Sequence, residues 1–404
     1  MNIENHSTIY RLSLMVSSHV VGTVNIVTVL AIAPLITDEL SLSATQFGFF
    51  VTAYYTAQAI WSLPAGGIVD SFGVGRSLIA CHILMALSAI LLGIAQSFEV
   101  CIVALFLMGI GYAMVNPATG RGVLAWYPSH RRGTAMGIKQ FGVPLGGIFA
   151  AGNGALATTI HWQSIMWGIA GVILFNGVLC MYLLLFFKPR TAERPSMMAN
   201  IRDVMKDTNV NIFALSGGLI NTGQTNFFAF LTLFLRDVAE ASQPMAGFAM
   251  GLAQTTSAIA RLGWGAIGDR FFLGRRKVLM IWICGSAALF LLMMIWVGPG
   301  WGLWYGLGLV GLLGITIASF APVAQAISAE MVEPNLAGSA MGYNMTGVHI
   351  GSMVAPPIFG AVVDWSGGYA GGWLVTALFV SIGTAFLIFK FREGIQNKRE
   401  LNFS

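Results

Sequence analysis

Gly133-Thr134-Ala135-Met136-Gly137-Ile138-Lys139-Gln140-Phe141-Gly142-Val143-Pro144-Leu145-Gly146 returns 205 residues later as Gly338-Ser339-Ala340-Met341-Gly342-Tyr343-Asn344-Met345-Thr346-Gly347-Val348-His349-Ile350-Gly351. The same shift carries Pro117 onto Pro322. Upstream, Gly66-x-x-x-Asp70 recurs as Gly265-x-x-x-Asp269, and Asp38 as Asp237, both 199 residues on. A chain that repeats itself at this period is built from two copies of one structural unit. The repeat also supplies an internal control. What the halves share is scaffold, and what only one half carries is a candidate for function.

The material of the repeat is apolar. Of 404 residues, 56% are hydrophobic and 9% charged, against about 25% charged in soluble domains. Apolar stretches long enough to span a bilayer follow one another at 11–37, 44–69, 75–97, 100–126, 133–156, 163–187, 210–236, 243–268, 277–297, 302–327, 336–362 and 371–391. Backbone groups in hydrocarbon must be satisfied within the segment, so each reads as a helix. A barrel is disfavoured, because the segments are continuously apolar and do not alternate at period two. The expected fold is an all-α polytopic membrane protein of twelve helices in two pseudo-symmetric six-helix bundles, 1–188 and 210–404. Between them, 189–209 reads as a cytoplasmic linker with a short amphipathic helix around 201–205.

The net charge of +5 is unevenly placed. Arg76, Arg131, Arg132, the linker cluster from Lys188 to Lys206, Arg270, Arg275 to Lys277, and Lys390 to Arg399 fall on one side of the predicted membrane. Loops on the other side contribute only Arg236. Both termini are therefore expected in the cytoplasm of a plasma-membrane protein. Topology accounts for the basicity, and nucleic acid is not an expected partner. Cys81, Cys101, Cys180 and Cys284 have no metal-like spacing and read as small buried hydrophobes. The first segment is too long for the apolar core of a cleavable leader. Gly142, Gly146 and Ala150, and again Gly347 and Gly351, place a small residue at every fourth position, a pattern that lets helices approach closely.

Gly66-Gly-Ile-Val-Asp70-Ser-Phe-Gly73-Val-Gly-Arg76 and its second copy, Gly265-Ala-Ile-Gly-Asp269-Arg270 continuing to Gly274-Arg275-Arg276-Lys277, resemble the loop signature of the major facilitator superfamily, and the resemblance covers essentially the whole chain. It implies a secondary active transporter, and a cytoplasmic gate built from Asp70, Arg76, Asp269 and Arg270. The loop aspartates would cap helix starts in the opposite half, where free N–H groups favour a carboxylate. The chain departs from the pattern of proton-driven drug exporters: Leu105 stands four residues before Gly109, where they carry an arginine, and segment one has no carboxylate. Gly142-Val-Pro144-Leu-Gly146-Gly147 does resemble their fifth-helix motif.

Within the predicted helices, three cations stand without any Asp or Glu: Arg121, Lys139 and Arg261. A buried cation needs a partner. Here the partner is expected to be the substrate, because the cations fail to recur: Arg121 aligns with Ala326, Lys139 with Asn344 and Arg261 with Ser62. Related organic-anion transporters often place an arginine at the Arg261 position, which the resemblance therefore implicates. The alternative is snorkelling, since each cation lies within roughly 8–12 Å of a segment end. Asn25, Gln224, Tyr54, Tyr55 and Asn344 are further candidates to line the site, and Asn25 aligns with Gln224. His19 and His349 are the candidates to carry a coupling proton.

The expected function is transport of a small organic anion, a carboxylate first of all, by alternating access with proton symport or anion exchange. The expected partners are that anion, protons or a counter-anion, and lipid around a monomer. The alternatives are efflux of drug-like compounds and a non-transporting membrane sensor. No nucleophile–base pair, metal spacing or nucleotide loop is present, so no enzyme activity, metal or cofactor is expected.

Overall fold

The computed structural model describes residues 3–186, 197–272, 275–333 and 336–393. The first half comprises α1 (Ile3–Ala31), α2 (Ala33–Glu39), α3 (Ala44–Phe72), α4 (Val74–Gly93), α5 (Phe98–Ala113), α6 (Val115–Trp126), α7 (Ser129–Leu156) and α8 (Trp162–Leu179), the last running into a 3-10 segment, Cys180–Phe186. After α9 (Met197–Lys206), the second half comprises α10 (Thr208–Ala239), α11 (Gln243–Phe271), α12 (Arg276–Met293), α13 (Trp301–Ile315), α14 (Ala321–Glu330), α15 (Ala337–Ser366) and α16 (Tyr369–Phe389). These elements form twelve membrane segments. Two compact units result, Met1–Thr191 with Ser242–Gly251, and Ala192–Ala241 with Leu252–Ser404.

By length and composition, seven of the described segments qualify as bilayer spans. Helices α7, α10 and α11 are as long but carry interior polar groups, Lys139 in the first, Asn221, Gln224 and Asn226 in the second, Gln254 and Arg261 in the third.

Three spans expected to be continuous are interrupted. Segment one breaks at Ile32, segment four at Met114 and segment ten over 316–320. Proline explains each break. Pro34, Pro117 and Pro322 lack the N–H that would bond to the carbonyl four residues back, on Leu30, Ala113 and Ala318, and the ring crowds that carbonyl.

The small-residue faces are packing faces in both units. A Cβ at Gly142 or Gly146 would overlap the carbonyl oxygens of Val16 and Val20 on α1. One at Gly347 or Gly351 would overlap those of Ala214 and Gly218 on α10. The repeated glycines thus let α7 and α15 lie against the backbone of the first helix of their own unit. Gly73 joins α3 to α4 at φ 81°, ψ 166°, a backbone conformation open essentially to glycine alone.

The far end of each first helix is stapled to the sixth. In the first unit Trp162 Nε1 and Gln163 Nε2 donate to Glu39 at 2.6 Å each. In the second, the Tyr369 hydroxyl donates to Asp237 Oδ2 at 2.6 Å while Arg236 Nε holds Oδ1 at 2.6 Å. Asp207 starts α10 by accepting from the backbone N–H groups of Asn209 and Val210 at 2.7 and 3.3 Å.

Candidate functional site

In the first unit, α1, α6 and α7 bring one polar cluster together around buried His19, Thr119 and Lys139. Lys139 is only 2% exposed. Its ammonium donates to Asn116 Oδ1 at 2.7 Å, Thr119 Oγ1 at 3.1 Å and the Asn116 carbonyl at 3.5 Å. Three donors thus meet three neutral oxygens, and the hydrogen bonds leave the positive charge uncancelled. Gln140 Nε2 adds a bond to Asn116 Oδ1 at 3.4 Å.

His19 joins through the same threonine, with Nε2 3.0 Å from Thr119 Oγ1. The single Thr119 proton is spent on the Val115 carbonyl at 2.8 Å. Its oxygen therefore accepts from both Lys139 and His19, which assigns His19 the Nε2–H tautomer. The Nδ1 atom is left as a buried lone pair without a hydrogen-bond partner among the described residues. His82 on α4 is the contrast: Nδ1 lies 2.6 Å from the Leu78 carbonyl and Nε2 2.7 Å from Asn176 Nδ2, so both nitrogens are occupied.

Arg121 is placed elsewhere in the unit. It lines a cavity of about 330 Å³ with Arg11, Val69, Gly73, Val74 and Trp126, at the end of the bundle that holds the Gly73 turn. Arg11 itself stacks on Phe186 and Trp126, its guanidinium 4.6 and 5.3 Å from their ring centroids. Asn25 is fully buried and donates to the Met85 carbonyl at 3.2 Å. Tyr54 is buried between Tyr112 and Tyr55, at ring distances of 6.4 and 5.2 Å.

In the second unit the polar groups converge on the break in segment ten. Arg261 Nη2 donates to the Ala318 carbonyl at 2.9 Å and Nε to Ser257 Oγ at 3.3 Å. Gln224 Nε2 and Ser257 Oγ donate to the same carbonyl at 3.0 and 2.7 Å. Asn344 is buried against Gly217, and its Oδ1 has no hydrogen-bond partner among the described residues. His349 is half-buried further along α15. Asn221 and Asn226, by contrast, bond between helices, to Ser352 Oγ at 2.6 Å and Thr376 Oγ1 at 2.9 Å.

Of the expected gate, the side chains of Asp70 and Asp269 lie outside the described residues. Arg76 is exposed at the start of α4, and Arg270 lies with its guanidinium 5.6 Å from the Phe271 ring centroid. The basic run after the second motif is engaged within its own unit: Arg276 pairs with Glu330 at 3.0 Å, and Lys277 Nζ donates to the carbonyls of Phe391 and Ile388 at 2.7 and 3.1 Å.

Sequence inspection passed over Asn116, Thr119, Ser257 and Ala318. Ser257 had a legible signal, since it stands one helical turn before Arg261 on the same face. Asn116 and Thr119 had none, because only packing brings segment four to Lys139. The roomier grooves are of another kind. About 600 Å³ between α1, α7 and α8, and about 370 Å³ between α10, α15 and α16, are lined mostly by apolar side chains.

Two bundles of apolar helices, with polar side chains turned towards their interiors, define a polytopic membrane protein. The family model described as Major Facilitator Superfamily matches residues 14–210 and 213–403, and the chain belongs to that family. Among its relatives, the hexuronate transporter of Bacillus subtilis (strain 168) is 21% identical over 390 residues, 87% of either chain. Monocarboxylate transporter 13 of Bos taurus is 26% identical over 337 residues, 80% of this chain and 76% of that one. A solved structure of the nucleoside transporter NupG, in a mutant form, superposes with a TM-score of 0.79 at 15% identity, covering 95% of this chain and 100% of that one. At that identity the likeness is one of fold.

Proposed function

We propose that this chain moves a small organic anion bearing a carboxylate across the plasma membrane by alternating access, with both termini in the cytoplasm. The observation that carries the reading is the Lys139 ammonium, buried among neutral oxygens with its charge uncancelled. Keeping a cation out of water in that state costs several kcal/mol, and an anionic cargo offsets the cost each time it binds. In its own unit Arg261 carries the planar fork that suits a carboxylate. Gln224 and Asn344 add neutral polar groups, and Arg121 adds positive potential towards one end of its unit. The names of two relatives, a hexuronate and a monocarboxylate transporter, belong to carriers of the same chemical class.

Coupling to a proton runs through His19, whose Nε2 shares Thr119 with Lys139 and whose Nδ1 has no hydrogen-bond partner among the described residues; anion exchange is the competing arrangement. The test is uptake into proteoliposomes of labelled glucuronate and lactate, with glucose and lactamide as neutral controls. Lys139→Met and Arg261→Gln each lower uptake of the anions by at least about tenfold while the variants still fold. Wild-type kinetics in both variants would end the anion reading. An imposed inward pH gradient drives accumulation in the wild type and fails to do so in His19→Gln, whereas exchange predicts no response to the gradient in either protein.

A further inference from the structure

The Ala318 carbonyl is contested by three side-chain donors, and the reason is local. Pro322 deprives it of its helical donor. In place of one backbone N–H, three side chains reach it: Ser257 Oγ at 2.7 Å, Arg261 Nη2 at 2.9 Å and Gln224 Nε2 at 3.0 Å. A carbonyl oxygen has two lone pairs, so three donors are one more than it accommodates well. A second carbonyl of the break, that of Ile315, is held from the same helix. Trp264 Nε1 donates to the Ile315 carbonyl at 2.8 Å and to Ser319 Oγ at 3.1 Å. Ser257, Arg261 and Trp264 stand at i, i+4 and i+7, one stripe along α11, and that stripe clamps the break.

The first unit has the same break, with uncharged residues at the matching positions. Pro117 interrupts segment four as Pro322 interrupts segment ten, yet the positions matching Arg261, Trp264 and Gln224 hold Ser62, Ala65 and Asn25. Asn25 spends its amide on Met85 instead. The proline is scaffold, and the charged clamp is peculiar to the half that carries Arg261.

We propose that Arg261 has two alternative partners, the Ala318 carbonyl and the carboxylate of the cargo, and that its transfer from one to the other frees the 316–320 break to change shape. The proposal rests on the anion reading above. A carboxylate accepts from a guanidinium more strongly than a neutral carbonyl does, because the bond is charged at both ends and can be bidentate. When Arg261 leaves, Ser257 and Gln224 still satisfy both lone pairs of Ala318, so release strands no buried acceptor. A neutral analogue of the same shape lacks the charge to draw Arg261 away and leaves the break clamped. Specificity for anions then resides in the step after binding as well as in binding itself.

Hydrogen–deuterium exchange on the full-length protein in lipid nanodiscs tests this. The amides to read are Thr316, Ala318 and Ser319, which donate to Leu312, Leu313 and Thr316 across the break. Without ligand, Arg261→Gln raises their exchange by about tenfold or more, the loss expected for one charged hydrogen bond. Ser257→Ala raises it less. Unchanged exchange in Arg261→Gln would overturn the clamp. Saturating glucuronate, lactate or sulfoacetate, whichever raises the thermal midpoint, brings wild-type exchange at these amides up to the Arg261→Gln level. The matching neutral amides do not. An anion that raises the midpoint and leaves 316–320 protected would sink the transfer and spare the anion reading. If no anion in the panel raises the midpoint, the anion reading falls and the unlocking step falls with it.

Discussion

Lys139 is the residue on which the chemistry turns. Its partners Asn116 and Thr119 satisfy its hydrogens but not its charge, and Thr119 hands the same oxygen to His19. Replacing Lys139 with methionine keeps the length of the side chain and removes the charge. We expect anion uptake to fall by at least about tenfold, the scale of one lost charged hydrogen bond, with little change in thermal midpoint. A midpoint that collapses with the activity would mean that the ammonium serves the fold. Gly73 makes a prediction of the opposite kind. At φ 81°, ψ 166° a side chain is strained whatever the space around it, so Gly73→Ala should cost about 1–3 kcal/mol of stability. Thermal unfolding in detergent reads that directly, and an unshifted midpoint would contradict the strain.

At the level of elements, the repeat is a matter of contact as much as of sequence. The Gly142–Gly146 pair on α7 and the Gly347–Gly351 pair on α15 press against backbone carbonyls of α1 and α10 in the same way. Gly146→Leu and Gly351→Leu should therefore each destabilise by about 1–3 kcal/mol or more, since backbone has nowhere to yield. Equal and negligible shifts in both would show that these faces part easily. The staples at the helix ends are weaker. Tyr369→Phe removes one bond to the half-exposed Asp237 and should cost about 1 kcal/mol, measurable as a lowered midpoint. Prolines account for what periodicity missed. Apolar runs 11–37, 100–126 and 302–327 look continuous, and each contains a proline near the observed break. Yet Pro64, Pro144, Pro356 and Pro357 sit inside unbroken helices. Neighbouring helices decide between those outcomes, and a single strand of sequence does not contain its neighbours.

For the whole molecule, the expected behaviour is that of a carrier for charge. Simple carboxylates should compete with labelled glucuronate or lactate uptake, while their amides and hydrophobic cations should not. Expression in a drug-sensitive host should leave its tolerance unchanged. Increased resistance together with carboxylate-insensitive transport would favour efflux of apolar compounds instead. The membrane character, the twelve segments and the twofold repeat were all legible beforehand, because they follow from hydropathy, chain length and the recurrence of glycine and proline. The burial of Lys139 was legible too, as a charge without a carboxylate in an apolar stretch. The partners of the cations were not. Lys139 meets Asn116 and Thr119 across 20 to 23 residues, and Arg261 meets Ala318 across 57. Such partners are chosen by helix packing, which depends on the shapes of all the surfaces at once. Sequence by itself determined that the chain is a repeat of apolar, membrane-spanning helices, since burial of apolar length is a sum over local residues. Tertiary structure alone decided that Arg121 lies apart with Arg11, that His19 shares a hydroxyl with Lys139, and that Arg261 grips a carbonyl freed by proline, because hydrogen bonds depend on distances that no local pattern sets.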